Sequence, residues 1–163
     1  DSRSSSMGEG INVLVAAQML IDNPQITLDE LARKTAEWSS RTRVFGALDT
    51  LENLKKGGRV SGAKAFFASA LAIKPIVEVR EGKIMEGGKE RTRSKALALL
   101  IEKVKSAGPI SNLAVLHAQC ADLDMFLEQL KSVYSGEIIV GEVGSVIGSH
   151  TGVGTMCVTF HVK

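Results

Sequence analysis

The stretch Gly141-Glu-Val-Gly144-Ser-Val-Ile-Gly148-Ser-His150-Thr-Gly152-Val-Gly154-Thr lies near the end of the 163-residue chain, and the run Met156-Cys-Val-Thr-Phe160-His-Val follows it at once. Successive side chains of a strand point to opposite faces. The run therefore predicts a strand with one apolar face (Val158, Phe160, Val162) and one mixed face (Cys157, Thr159, His161).

A single histidine, His150, stands among the five glycines of this stretch. Glycine allows the backbone to adopt positive φ and lets another molecule come close. Together with Ser149 and Thr151, the imidazole offers a donor or acceptor that can carry charge near neutral pH. The stretch indicates a polar site for an unidentified ligand. A glycine-rich hairpin with a solvated histidine is the alternative that these residues leave open.

The composition fits one domain, or one domain with part of another. A hydrophobic content of 44% predicts a substantial core, while a net charge of +2 and 4% aromatic residues argue against a nucleic-acid partner. No apolar run approaches the length of a membrane span, so we expect no integral membrane association. Cys120 and Cys157 lack CxxC spacing, which favours a cytoplasmic location.

Hydrophobic periodicity and turn residues predict a mixed sheet of five or six strands with helices packed on it, an α/β (α+β) fold. Helices are expected over about 11–21, after the Thr27 capping box, and over 50–57, 63–71, 91–107 and 122–135; strands over 44–48, 73–79, 83–85, 113–117, 138–140 and 156–162. The first helix is apolar nearly all round, so we expect it to be buried on more than one side. Pro75 suggests that its strand lies at an edge or begins there.

Enzymatic chemistry finds little support in the sequence. There is no GxxxxGK[ST] loop, no GxGxxG after a strand and no nucleophile elbow, which argues against nucleotide binding and serine hydrolysis. His117-x-x-Cys120, His150, Cys157 and His161 lack the spacing of a metal site, so we expect no bound metal.

Each of two basic patches has two possible interpretations. Lys55, Lys56 and Arg59 form one patch, and Arg91 and Arg93 belong to the other. They are either solvated faces or groups that grip a carboxylate, a phosphate or an acidic partner protein. A similar choice applies to Phe66, Phe67 and Leu71, which are core residues unless a neighbouring lobe leaves a slot beside them.

Five motifs in series resemble one family. They are Asp1-Ser-x-Ser-x-Ser-Met-Gly-x-Gly10, Leu51-x-x-Leu-Lys-Lys-Gly-Gly-Arg59, Ile73-Lys-Pro75 with Gly82-Lys83, Arg91-Thr-Arg93, and Gly148-x-His150-x-Gly-x-Gly154. In this order they closely resemble the DegV family of bacterial fatty-acid-binding proteins. The resemblance implies that residues 1–42 are the remnant of an N-terminal lobe and that residues 43–163 form the C-terminal α/β lobe.

The resemblance also implies a function. A long-chain fatty acid would lie between two lobes, and its carboxylate would be presented to the catalytic subunit of a fatty acid kinase. The protein itself would be a non-catalytic carrier without a cofactor, with at most transient contact with a membrane surface. The alternative is a protein-interaction or structural domain that holds no lipid.

The resemblance assigns the site residues by motif. The implied lipid-binding residues are His150, Ser149, Thr151, Gly152, Arg59, Phe66, Phe67, Leu71 and Ile73. The implied contacts with the head group or the partner are Arg91, Arg93, Lys55 and Lys56.

Overall fold

A computed structural model gives the fold, and it describes residues 1–59 and 73–163. The helix expected over 63–71, with Phe66, Phe67 and Leu71, lies outside the described residues. In chain order the elements are α1 (Met7–Asp22), α2 (Leu28–Arg41), β1 (Thr42–Ala47), α3 (Glu52–Lys56), β2 (Lys74–Arg80), β3 (Lys83–Glu90), α4 (Arg93–Ser106), β4 (Ile110–His117), α5 (Leu123–Lys131), β5 (Ile139–Glu142), α6 (Ser145–Thr151) and β6 (Met156–Val162).

The strands form one mixed six-stranded sheet in the order β3-β2-β1-β6-β4-β5. Neighbouring strands are antiparallel except β4 and β5, which run parallel. The predicted mixed α/β sheet is thus confirmed. Of the two alternatives expected from Pro75, the second is confirmed: β2 begins at Lys74, beside Pro75, and it pairs on both sides, so it is not an edge strand. Pro75 lies at the start of the strand, where a missing N–H is tolerated.

The β2–β3 connection is a two-residue turn, as the Glu81-Gly82 pair predicts. Both residues have positive φ, 50° and 73°. This left-handed pair matches the twist of an antiparallel hairpin. Likewise, the Thr27 hydroxyl accepts a hydrogen bond from the Glu30 N–H at 3.3 Å and begins α2 as expected.

One face of the sheet carries the main hydrophobic core. Helices α4 and α5 cover this face, and the buried stripe expected on α4 lies here, including Leu97, Leu100 and Val104. The strands contribute the residues that alternation assigns to this face, among them Phe45, Ile76, Leu113, Val115, Val158 and Phe160. Side chains of these strands and helices pack together and fill the space between them.

In the part of the chain that the structure describes, helices cover the opposite face at its two ends. Helix α1 packs against β1, β4 and β6 at one end, with α2 beside it, and α3 lies against α6 at the other. Leu54 of α3 is buried in a small cluster with Leu48 and Val77. The sheet surface between these two helical groups is the floor of a cavity.

The first helix is less buried than its composition suggests. Gly8, Ile11 and Asn12 are buried, whereas Val13, Leu14, Leu20 and Ile21 are 45–70% exposed. The expectation of burial on several sides was wrong for the described structure, because only one side of α1 meets the sheet. Among the helices of residues 1–59 and 73–163, none is long and apolar enough to cross a membrane.

A buried polar network fixes α1 to the sheet. His161 is fully buried; its Nε2 lies 3.1 Å from Asn12 Oδ1 and its Nδ1 3.1 Å from Asn112 Nδ2. The Asn12 amide donates to the Gly8 carbonyl and to the Thr42 hydroxyl. These partners assign the proton to Nε2 of a neutral ring. Burial, with the nearby charge of Arg41, lowers the pKa of His161 to about 4.

The network predicts a pH-dependent stability. Because the folded pKa of His161 lies below the unfolded value near 6.5, the unfolded state binds more protons between these values. The stabilisation is complete above about pH 6.5 and falls as the pH drops toward 4, by about 3 kcal/mol in all. Denaturant unfolding at pH 7 and pH 4.5 measures the loss. His161→Gln should show a smaller loss over this interval, and equal losses in the two proteins would contradict the assignment.

Candidate functional site

An apolar cavity of about 330 Å³ occupies the open face of the sheet. The strands contribute Val44, Gly46, Val77, Val79, Ile84, Leu116, Cys157 and Thr159 to its lining, and Leu48 follows directly after β1. The α3 and α6 side contributes Leu54, Arg59, Val146, Ile147, His150 and Thr151, and the remaining wall contains Ser4–Ser6, Gly82 and Lys83. Hollows of similar or larger size beside the serine-rich start and along α1 and α2 do not reach His150. We call this the apolar cavity.

The apolar cavity is elongated across the strands. Its floor crosses β3, β2, β1, β6 and β4, from Ile84 to Leu116. Neighbouring strands lie about 4.8 Å apart, so these two ends are about 19 Å from each other. A groove of this length with a mostly aliphatic floor suits an extended hydrocarbon better than a compact polar molecule.

His150 reaches the apolar cavity because Gly57 has no side chain. A Cβ built on Gly57 would lie 2.1 Å from His150 Nδ1 and 2.6 Å from Cε1, far inside contact distance. Gly57 has an ordinary φ of −78°, so its backbone does not require glycine. The glycine that ends α3 therefore leaves the space that the imidazole fills.

Two polar atoms beside the apolar cavity lack partners. His150 Nδ1 and Thr159 Oγ1 are buried without a hydrogen bond among the described residues. A buried polar atom without a hydrogen-bond partner lowers the free energy of unfolding. Such an atom therefore calls for a reason, and one reason is a site where a further group binds.

The cationic groups near the apolar cavity lie at its exposed walls. Arg59 lines the wall beside Gly57, whose carbonyl oxygen accepts a 2.9 Å hydrogen bond from its guanidinium. Lys83 lies with Ser4–Ser6 at the β2–β3 turn, where Gly82 N donates to the Arg3 carbonyl. Lys55 and Lys56 are exposed in the last turn of α3.

The glycine-rich stretch itself is more regular than expected. Residues 145–151 form the short helix α6, and Gly148 lies inside it. Of its glycines, Gly152 and Gly154 have positive φ, 84° and 81°, where the chain leaves the helix and turns into β6. The alternative prediction of a glycine-rich hairpin was wrong, because helical hydrogen bonds continue through residues 145–151 until Gly152 ends them.

The structure brings together some of the predicted lipid-binding residues and separates others. His150, Thr151 and Arg59 line the apolar cavity, but Ser149, Gly152 and Ile73 do not. The Ser149 hydroxyl donates to the Val146 carbonyl of its own helix at 2.8 Å. The lipid-binding assignments of these residues remain predictions.

Arg93 is engaged within the fold. Its guanidinium makes two parallel bonds to the Asp122 carboxylate, and it also donates to Asp49 and to the Gly154 carbonyl. The pair with Asp122 raises the pKa of Arg93, and the Arg93 guanidinium lowers the pKa of Asp122. Asp122 stands at the start of α5 as expected, but its side chain makes no capping bond, because Arg93 binds it. The predicted partner contacts of Arg91 and Arg93 remain predictions.

Several cavity residues were missed from the sequence. Gly46, Cys157 and Thr159 line the floor although they lie inside strands, and Ser4–Ser6 line a wall. The alternation of β6 already placed Cys157 and Thr159 on one face, but only the sheet order shows that this face is the open one. Burial raises the pKa of the Cys157 thiol to about 12, so it is not a thiolate nucleophile at neutral pH. Within residues 1–59 and 73–163, no three His, Cys, Asp or Glu side chains could hold a metal ion.

Comparison with known proteins gives a family match over the whole chain. The sequence model described as "Uncharacterised protein, DegV family" matches residues 1–163. A DegV domain-containing protein of Clostridium perfringens is 35% identical over 165 residues, which cover 98% of this chain and 57% of that protein.

Solved structures agree with the fold. DegV of Bacillus subtilis, a fatty acid binding protein, has a TM-score of 0.81 at 32% identity and is matched over 59% of its chain. A DegV family protein of Eubacterium eligens loaded with heptadecanoic acid has a TM-score of 0.85 at 25% identity and is matched over 60% of its chain. Both matches cover 100% of this chain. The chain thus spans less than two thirds of the length of these relatives.

The contacts of Arg93 predict a stability effect. In Arg93→Lys, one ammonium group replaces the planar fork and cannot satisfy Asp122, Asp49 and the Gly154 carbonyl together. We expect the free energy of unfolding to fall by about 2 kcal/mol, measured with urea. Arg91→Lys is the matched control, since Arg91 is exposed, and its change should stay within about 0.5 kcal/mol. Equal effects of the two substitutions would contradict the structural role of Arg93.

The contact between Gly57 and His150 predicts a local displacement. In Gly57→Ala the new methyl group would overlap the imidazole, so the ring must move. NMR of the histidine ring protons should show changed His150 resonances. Gly148→Ala is the control, because a Cβ at Gly148 meets no atom of residues 1–59 and 73–163 within 4 Å, and it should leave these resonances in place. An unmoved His150 in Gly57→Ala would show that the packing differs from this description.

Proposed function

Because the chain belongs to the DegV family, we propose that it holds the hydrocarbon tail of a long-chain fatty acid in the apolar cavity and binds the carboxylate close to His150. The observation that carries the proposal is an elongated aliphatic groove whose wall contains the imidazole of His150. Relatives of similar fold bind fatty acids, which supports the same ligand class here.

The energetics of a fatty acid fit both parts of the site. Each buried methylene contributes about 0.8 kcal/mol, so a long tail supplies most of the gross binding free energy. A carboxylate has the opposite preference, because leaving water without donors costs several kcal/mol. A site for the whole molecule therefore needs an apolar floor and a donor at one place on its wall.

His150 and Arg59 are suited to the donor role. The imidazole lies on the wall formed by α3 and α6, and Arg59 is held beside it through the Gly57 carbonyl. Hydrogen bonds from charged or neutral donors of this kind stabilise a carboxylate at the edge of an apolar site. The Thr151 hydroxyl donates to the Ile147 carbonyl, so Thr151 contributes mainly to the shape of the wall.

The larger assembly belongs to the same proposal. The chain spans less than two thirds of its relatives, and we assign residues 1–42 to the tail of one lobe and residues 43–163 to a second lobe. The fatty acid would lie between the two lobes. The protein would act as a carrier that presents the carboxylate to a fatty acid kinase subunit and would perform no chemistry itself.

Exposed positive charge beside the cavity supports a role for the carboxylate end in contact with a partner. Lys55, Lys56 and Arg59 are exposed on the same side as His150. They would attract an anionic head group or an acidic partner surface, and this steering would weaken with salt. The same charges could make transient contact with an anionic membrane surface.

The central test is lipid retention. Organic extraction of the purified protein followed by mass spectrometry should release one fatty acid per chain. His150→Ala should retain at least about 10-fold less, because a hydrogen bond to a charged group contributes about 1.5–3 kcal/mol. Addition of a fatty acid kinase subunit and ATP should give less acyl phosphate with this variant.

Ser145→Ala is the matched control for His150→Ala. Ser145 begins the same helix, is exposed and lies outside the apolar cavity, so its substitution should leave retention unchanged. Unchanged retention and unchanged acyl phosphate in His150→Ala would refute the carboxylate role of His150. A wild-type protein without any fatty acid would favour the alternative, an interaction or structural domain.

A further inference from the structure

We propose that Gly46 determines where the acyl chain crosses the sheet, and thereby the length of chain that the apolar cavity accepts. The inference rests on the proposed function and adds a specificity-determining residue to it. Gly46 lies in β1, at the centre of the cavity floor. Its neighbours in the two adjacent strands are Val77 and Cys157.

The backbone gives no reason for a glycine at this position. The φ angle of Gly46 is not positive, and the residue pairs within a regular antiparallel ladder on both sides. Glycine inside a strand costs roughly 0.5–1 kcal/mol relative to alanine and provides no side chain to pack. A glycine kept in such a strand commonly marks a place where another molecule or backbone approaches closely.

The surroundings of Gly46 show which side is left open. A Cβ on Gly46 would point to the cavity face, 3.0 Å from Cys157 Sγ, 3.6 Å from Val77 Cγ2 and 4.0 Å from Leu48 Cδ2. A single methyl group would thus fit after a small shift of the Cys157 thiol. Any larger side chain would extend past these neighbours into the apolar cavity.

The strand register places Gly46 in a row of cavity-floor residues that crosses the sheet. On the cavity face, Val77, Gly46, Cys157 and Leu116 are aligned across β2, β1, β6 and β4. The next row toward α1 contains Val79, Val44 and Thr159, each with a branched side chain. Among the described floor residues of the strands, Gly46 alone has no side chain. The lowest crossing of the floor therefore passes over Gly46, at right angles to the strands.

This path suits an unbranched acyl chain. A polymethylene chain is narrow enough to pass between the wall of α3 and α6 and the wall at Ser4–Ser6, and it has no polar group to satisfy along the way. A chain that extends over the full width of the floor must cross Gly46. If the crossing is blocked, only the part of the apolar cavity on one side of β1 remains.

The test is a competition between chain lengths. Purified protein, stripped of lipid, is incubated with an equimolar mixture of saturated fatty acids of 12 to 18 carbons, and the bound acids are measured by mass spectrometry. Wild type should favour the long acids. Gly46→Val should shift the ratio of long to short acids at least about 10-fold toward short, with Gly46→Ala between the two.

Ala47→Val is the matched control. Ala47 is the next residue of β1, is 3% exposed and faces the main core on the other side of the sheet. Its substitution perturbs the same strand without entering the apolar cavity, so the chain-length profile should remain that of wild type. A profile in Gly46→Val equal to wild type would overturn the inference. A wild type without bound fatty acid would instead overturn the proposed function.

Discussion

The pairing of β1 with β6 at the centre of the sheet is the constraint on which the rest depends. It joins residues 42–47 to residues 156–161, from opposite parts of the chain. Through this pairing, one face of both strands enters the main core and the other becomes the floor of the apolar cavity. Because side chains alternate strictly, a shift of one residue would exchange the two faces and remove core and cavity together.

Close packing around glycines shapes the site more than backbone freedom does. Gly57 leaves room for the His150 ring, Gly46 lowers the floor, and Gly8 allows Ser4 to lie against the start of α1. None of these three has positive φ. Each instead stands where a Cβ would overlap a neighbour or extend into the cavity. Glycine at these positions keeps that space open, although it loses more conformational entropy on folding than other residues do.

The two ends of the open face differ in whether their buried polar atoms have hydrogen-bond partners. At the α1 end, His161, Asn12 and Asn112 satisfy one another's hydrogen bonds, so this buried polar region is rigid and complete. At the α3 and α6 end, His150 Nδ1 has no partner among the described residues, and neither has Thr159 Oγ1 on the cavity floor. A closed network fixes the fold, whereas the open polar atoms and the aliphatic floor are the features expected of a ligand site within the DegV family.

The sequence alone determined the mixed sheet, the Thr27 cap, the Glu81-Gly82 turn and the family, because these depend on local periodicity, turn chemistry and motifs. It also singled out His150. It did not predict the exposure of α1, the helix at residues 145–151, or the engagement of Arg93 by Asp122. Nor could it find Gly46, Cys157 and Thr159, since a residue in a strand becomes a cavity residue only through the strands beside it. Tertiary structure decided these points because strand order and helix placement, which are non-local, determine which face of each element stays open.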